Sequence, residues 1–501
     1  MSDNIEQYRV FIQNLRNDEY RSQALNDLKN LLNVTPSVQA VPFIRNVGIN
    51  NIIECLNLTD KSQVDLCCDL LKTCFDMFQL ENVVNDYITY IMYLLRHEKP
   101  CVRQLAIDVI YKVLNASPTT FLHPQHIDVF VAIAQLTCDK DVSIANKAIL
   151  ITSNLPQEAY PKVLEEMKIA LEYNSSSKCN ALEIIVNIST KSNELFELCK
   201  DQGYIDFLVS ELETEDILYQ LNILELLTQL SESPHCIAHL IRHGSFKKMV
   251  QRLQDLQNNP VKALLITGYI KFFGTVTYHY SKEIIQEFPI LIESLLESFN
   301  EVDQTIFPVV LDTIGVIGST IEGKLCLAAV GSKYTLAVEK IGETIKNSPT
   351  NIKIRALFCF ANLINVERDP KKSQVDQRVT LMTREWFRSF SKQPPAIDML
   401  FSICKNPFPE IQFGAFTFLD AVCQHHWGEE LVANCAGFIE FLLDRNVDFT
   451  KELMEVKYDV IKRLSISTAF DDNIIMRLKT YVEQGPFYSE TQMQVAVEEG
   501  D

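Results

Sequence analysis

The sequence predicts an all-α fold, a solenoid (superhelix) of stacked helical hairpins of the HEAT or armadillo kind. Three observations predict it. From about residue 60 to about residue 420 one pattern returns at intervals of about 36–48 residues, the period of such repeats. Within each interval the apolar residues keep the spacing of a helix with one buried face. Strand signals are weak: strict alternation is rare, and no hairpin dipeptide joins two β-rich runs. A single hairpin cannot cover its own apolar face, so neighbours stack, and stacking leaves a long groove. Such a fold is first of all a surface for holding other proteins.

Taken in chain order, residues 1–50 follow the period least and are assigned as an N-terminal helical cap. Residues 51–484 form the repeat solenoid, and 485–501 a C-terminal tail. Each repeat opens with an apolar residue and a second one four positions on: Val64/Cys68, Val102/Ala106, Ile217/Leu221, Val261/Leu265, Ile306/Val310, Ile352/Ala356 and Ile411/Ala415. In residues 99–114, Val102, Leu105, Ala106, Val109 and Val113 form one stripe, and Gln104, Asp108 and Lys112 lie on another. The helices are separated by Thr35-Pro36-Ser37, Ser117-Pro118-Thr119, Asn259-Pro260, Ser348-Pro349-Thr350 and Asn406-Pro407. Proline disfavours helix at the residue before it and suits the first turn after a polar cap. The register is weakest around Ala181. Residues 366–395 interrupt the period and predict an elongated repeat with a charged loop between helices, a place from which function often projects.

The bulk composition fits this reading. The 501 residues hold only 15 glycines, and no polar, Pro/Gly/Ser-rich stretch is long enough to be a linker. The net charge of −19 speaks against nucleic acid, which needs a basic footprint; the cluster Arg368, Lys371, Lys372 is short. An acidic surface suits a basic protein partner, or it simply keeps a large repeat protein soluble. The 14 cysteines include no C-x-x-C pair and mostly fall on apolar helical faces, a usage that belongs to a reducing compartment. No run approaches the ~18 apolar residues of a membrane span, and residues 1–20 lack the core of a secretory signal. The expectation is a monomeric protein of the cytoplasm or nucleus, without a membrane partner.

Several motifs suggest chemistry. Gly318–Lys324 reads G-x-x-x-x-G-K, like a phosphate-binding loop. However, Leu325 stands where Ser or Thr would hold magnesium, and no βαβ unit surrounds it, so a turn between two helices is the better reading. His235, His239 and His243 share i, i+4, i+8 spacing, and His123/His126 and His425-His426 are further pairs. Gly244 ends the helix just past His243, where polar residues cap carbonyls more readily than they bind metal. Glu165-Glu166 and Glu429-Glu430 read as solvated faces. Trp386 and Trp427 suit core packing better than partner anchoring. No nucleophile signature appears. The sequence predicts no catalytic residue, no cofactor and no metal.

From about residue 265 onward the chain resembles a known family. The blocks are Gly268-Tyr-Ile-Lys-Phe-Phe-Gly274, Gly315-Val-Ile-Gly-Ser-Thr-Ile-Glu-Gly-Lys324 and Glu385-Trp-Phe-Arg-Ser-Phe-Ser391. They continue with Asn406-Pro-Phe-Pro-Glu-Ile411, the segment 436–445, Leu478–Tyr488 and the ending Val495–Asp501. In this order they resemble the proteasome non-ATPase regulatory subunit 5 family. The resemblance implies a helical-repeat chaperone without catalytic activity that assists assembly of the base of the proteasome regulatory particle. It implies transient binding to ATPase-ring subunits, chiefly regulatory subunits 7 and 4, together with non-ATPase regulatory subunit 2, and absence from the mature proteasome. The alternative is an armadillo or HEAT adaptor for another protein cargo. An importin-like groove would use a ladder of Trp and Asn, and this chain has only 2 Trp.

Polar residues on the open stripes of successive helices are the candidates for partner contact. Asp108, Glu183 and Glu225 are the expected partner-binding residues, lining one groove and presenting negative potential to a basic domain.

Overall fold

The computed structural model describes residues 2–116, 126–256, 263–297, 299, 306–366, 377–445 and 449–488. The turn at 117–119, His123, Asn259-Pro260, Val261, the basic cluster at 368–372 and the tail beyond 488 lie outside the described residues. Every regular element among the described residues is helical, in agreement with the all-α repeat architecture. The chain divides into two compact units, residues 1–213 and 214–501.

In each unit one set of helices stacks side by side as a ladder. In the first unit its members are α1 (Arg21–Val34), α2 (Lys61–Met77), α3 (Pro100–Ala116), α4 (Val142–Ser153) and α5 (Ser175–Ser189), each packed on the next. In the second they are α6 (Ile217–Ser231), α7 (Ala263–His279), α8 (Phe307–Ile317), α9 (Thr350–Ile364), α10 (Pro409–Cys423) and α11 (Lys451–Leu464). Between ladder helices the chain returns through a second layer. In the second unit that return takes two helices, for example Pro234–Arg242 and Ser245–Leu256, or Ile321–Ala329 and Ser332–Asn347. Three helices per repeat is the armadillo arrangement.

Local sequence explains where the ladder helices begin. The side chains of Asp60, Asp141, Asn174, Asp216 and Thr450 each accept a hydrogen bond from a backbone N–H in the first turn of α2, α4, α5, α6 and α11. Each meets a donor that the helix leaves unpaired. Pro100 and Pro409 start α3 and α10, where a missing N–H costs nothing.

The ladder helices are buried on more than one side. In α3 the stripe Val102, Leu105, Ala106, Val109 and Val113 is buried, and so are Ile107 and Ile110. A helix flanked by two ladder neighbours and covered by the outer layer exposes only a narrow polar edge. The repeat frames Val64/Cys68, Val102/Ala106, Ile306/Val310, Ile352/Ala356 and Ile411/Ala415 mark the beginnings of ladder helices. The frame in α6 is displaced by two residues: Tyr219 and Ile223 are buried, whereas Ile217 and Leu221 are only half-buried.

The expected loop at 366–395 needs correction. Residues 377–390 form a helix (Gln377–Phe390) that buries Val379, Thr383, Trp386, Phe387 and Phe390. That spacing is amphipathic, and the surrounding charges sit on its open face.

Candidate partner-binding face

The open edge of the ladder carries a series of cross-repeat ion pairs. Lys29 Nζ reaches Asp69 at 2.8 Å between α1 and α2, and Lys112 Nζ reaches Asp76 at 2.7 Å between α3 and α2. Lys147 on α4 pairs with Asp108 on α3. In the second unit Arg355 on α9 pairs with Asp312 on α8. Arg463 on α11 grips Asp420 on α10 with two bonds, 3.0 Å from Nε and 3.3 Å from Nη2. The partners lie 36 to 43 residues apart, about one repeat. Each half-exposed pair contributes little to stability, roughly 0.2–1 kcal/mol. Together they fix the register of one helix on the next.

The three expected contact residues fall in different surroundings. Asp108 is occupied: besides Lys147 it accepts a hydrogen bond from Gln104 Nε2 at 2.8 Å, so it offers a partner a neutralised pair. Glu225, on α6 in the second unit, is exposed. Glu183, on α5, is half-buried, and burial alone pushes its carboxyl above the usual range.

The second unit holds a surface feature that the sequence reading missed. A groove of about 630 Å³ runs across α9, α10 and α11, lined by Phe358, Phe413, Thr417, Asp459 and Ile466 around the Asp420–Arg463 pair. The rings of Phe358 and Phe413 meet edge-on at 6.1 Å, and Ile466 is 75% exposed. Apolar walls around an ion pair suit a partner contact that is partly wet. Aligning the repeats on their Asp–Lys/Arg spacing would have located the pair. The half-buried aromatics give no such signal, because Phe358 and Phe413 look like core residues in the sequence.

The motif at Gly318–Lys324 is explained by packing. Lys324 is fully buried, and its Nζ donates to the carbonyls of Gly318 at 2.5 Å, Asn362 at 3.0 Å and Ser319 at 3.2 Å. It therefore caps the last turns of α8 and α9 together. A Cβ at Gly323 would lie 1.8 Å from the Ile317 carbonyl oxygen, and one at Gly318 2.3 Å from Leu363 Cδ2. Both glycines are set by close approach of helix ends. Trp386 and Trp427 are buried, at 7% and 4% exposure. His239 stacks on His243 with ring centroids 4.0 Å apart. His425 Nε2 donates to the Ile364 carbonyl at 2.8 Å.

A two-layer ladder of helical repeats with an open polar edge defines a scaffold of the HEAT and armadillo class. Solved structures agree at the level of fold. Kap95 in the Kap95:Nup1 complex superimposes with a TM-score of 0.55 at 12% identity, covering 96% of this chain and 64% of that one. Kap95p in its complex with RanGDP gives 0.53 at 13% identity, covering 93% and 64%.

The profile of the family described as "Proteasome non-ATPase 26S subunit" matches residues 5–501, and the chain belongs to that family. Among its relatives is the "26S proteasome non-ATPase regulatory subunit 5" of Homo sapiens, 25% identical over 488 residues, covering 95% of this chain and 96% of the human protein. The protein of the same name from Bos taurus is 26% identical over 488 residues, with the same coverage. The Drosophila melanogaster protein is 26% identical over 441 residues, covering 87% and 85%. The match includes the N-terminal half, where the sequence blocks alone carried no resemblance.

Proposed function

We propose that this chain is a non-enzymatic chaperone for assembly of the base of the proteasome regulatory particle. It holds ATPase-ring subunits, regulatory subunits 7 and 4, together with non-ATPase regulatory subunit 2, and leaves before the mature proteasome forms. It works in the cytoplasm or nucleus, as a monomer outside these complexes, and needs no cofactor. The family match over residues 5–501 is the observation that carries this reading.

The physical chemistry of the ladder edge supports it. A scaffold that must later release its client needs contacts that are polar and partly solvated, so that permanent neighbours can outcompete them. The paired edge residues and the mixed groove across α9–α11 have that character. Lys324, the residue that would otherwise suggest nucleotide chemistry, is committed to three carbonyls.

The test is reconstitution. Purified full-length chain mixed with recombinant ATPase regulatory subunit 7 should co-elute from a sizing column without added nucleotide. Separate elution of the two, at concentrations well above micromolar, would overturn the reading.

A further inference from the structure

Several polar side chains on α5 and just beyond its end are hydrogen-bonded. Asn180 Nδ2 donates to the Thr137 carbonyl at 2.8 Å, and Asn187 Nδ2 donates to Ser153 Oγ at 3.2 Å. Thr190 Oγ1 donates to the Asn187 carbonyl at 3.2 Å, and Lys191 Nζ donates to Tyr160 Oη at 3.1 Å. Glu183 lies between Asn180 and Asn187, about one turn from each, and has no hydrogen-bond partner and no cation among the described residues.

Glu183 differs from the paired carboxylates of the ladder helices. Asp69, Asp76, Asp108, Asp312 and Asp420 each have a lysine or arginine from the neighbouring helix. Asp312 makes the comparison sharp: burial raises its carboxyl too, but Arg355 opposes the rise. At Glu183 nothing opposes it.

A half-buried carboxylate with no internal partner gains more from an incoming cation than an exposed one does. A metal ion would need further ligands, and among the described residues no three His, Cys, Asp or Glu side chains gather. An anionic ligand would be repelled. The complementary group is a lysine or arginine of a protein.

We propose that Glu183 is the anchor for a basic side chain of the protein client, docked along the open stripe of α5. The inference rests on the assembly reading and adds to it the helix of contact and the sign of the client's anchor.

The test uses full-length chain and purified ATPase regulatory subunit 7, with affinity measured at low and high salt. Glu183→Gln should weaken binding about tenfold, as expected for losing one hydrogen bond between charged groups, and flatten the salt dependence. Glu183→Asp should keep part of the affinity, and Glu158→Gln, at an exposed glutamate off the ladder helices, should stay within about twofold of wild type. The melting temperature of Glu183→Gln should equal or exceed that of wild type, because an unpaired half-buried charge is removed; a merely structural role cannot give weaker binding in a more stable chain. Wild-type binding that Glu183→Gln retains in full overturns the anchor and leaves the assembly reading standing. Loss of binding together with a lower melting temperature also overturns it. A wild-type chain that does not bind the subunit overturns the assembly reading, and the anchor with it.

Discussion

Lys324 donates to the Asn362 carbonyl at 3.0 Å, from a side chain with no solvent exposure, and so ties the end of α9 to the end of α8. A lysine at this place in a G-x-x-x-x-G-K run is a helix-end clamp. Glycine appears twice in the run because a Cβ at Gly323 would strike the Ile317 carbonyl and one at Gly318 the Leu363 side chain.

The first prediction follows from that clamp. Lys324→Met keeps most of the volume but leaves carbonyls at two helix ends unmet, and should cost about 2 kcal/mol of stability. Calorimetry checks the loss. Addition of ATP should shift neither the wild-type nor the variant melting temperature, and a nucleotide-dependent shift in wild type alone would restore the phosphate-loop reading.

A second prediction concerns the cross-repeat pairs. Asp420→Asn, Arg463→Ala and the double variant form a cycle whose coupling energy should be about 1 kcal/mol, at the upper end for a partly exposed pair because the contact is bidentate. Urea unfolding at low and high salt measures it. Coupling near zero at low salt would mean that the pair does not lock the repeat register.

The cysteines give a pH dependence with a definite sign. Burial pushes the Cys74 thiol up to about 12 and Cys199 up to about 11, from an ordinary 9.0. The folded state therefore keeps protons that the unfolded chain loses. The stability this confers is fully present below pH 9 and is lost as pH rises through 11 to 12. Under reducing conditions the urea midpoint should fall between pH 9 and 11, and less steeply in Cys74→Ala. Equal slopes for variant and wild type would contradict burial of that thiol.

The architecture was legible because a repeat states its pattern many times. The frames of α2, α3, α8, α9 and α10 could be read directly, each an apolar pair four residues apart at the start of a ladder helix. Two of the missed frames have identifiable causes. In α5 the first frame position is Ser177 and in α11 the second is Lys457; both are buried, yet neither looks apolar in a sequence. Lys457 is tolerated because its Nζ donates to the Asp444 carbonyl at 2.6 Å and lies over the Phe449 ring. The candidate contact residues were harder. Spacing placed Asp108, Glu183 and Glu225 on open stripes, but only the fold shows that Asp108 already has Lys147 and that Glu183 has nothing. Pairing across a repeat depends on helix register, which a one-residue shift along either helix would change.

The measurement that tests the assembly role most directly is affinity purification of the full-length chain from cell extract, with quantification of every co-purifying proteasome subunit. An assembly chaperone should recover regulatory subunits 7 and 4 and non-ATPase regulatory subunit 2 in near-stoichiometric amounts, with core-particle subunits absent. Recovery of intact proteasomes with the core particle present, or of no ATPase subunit at all, would contradict it.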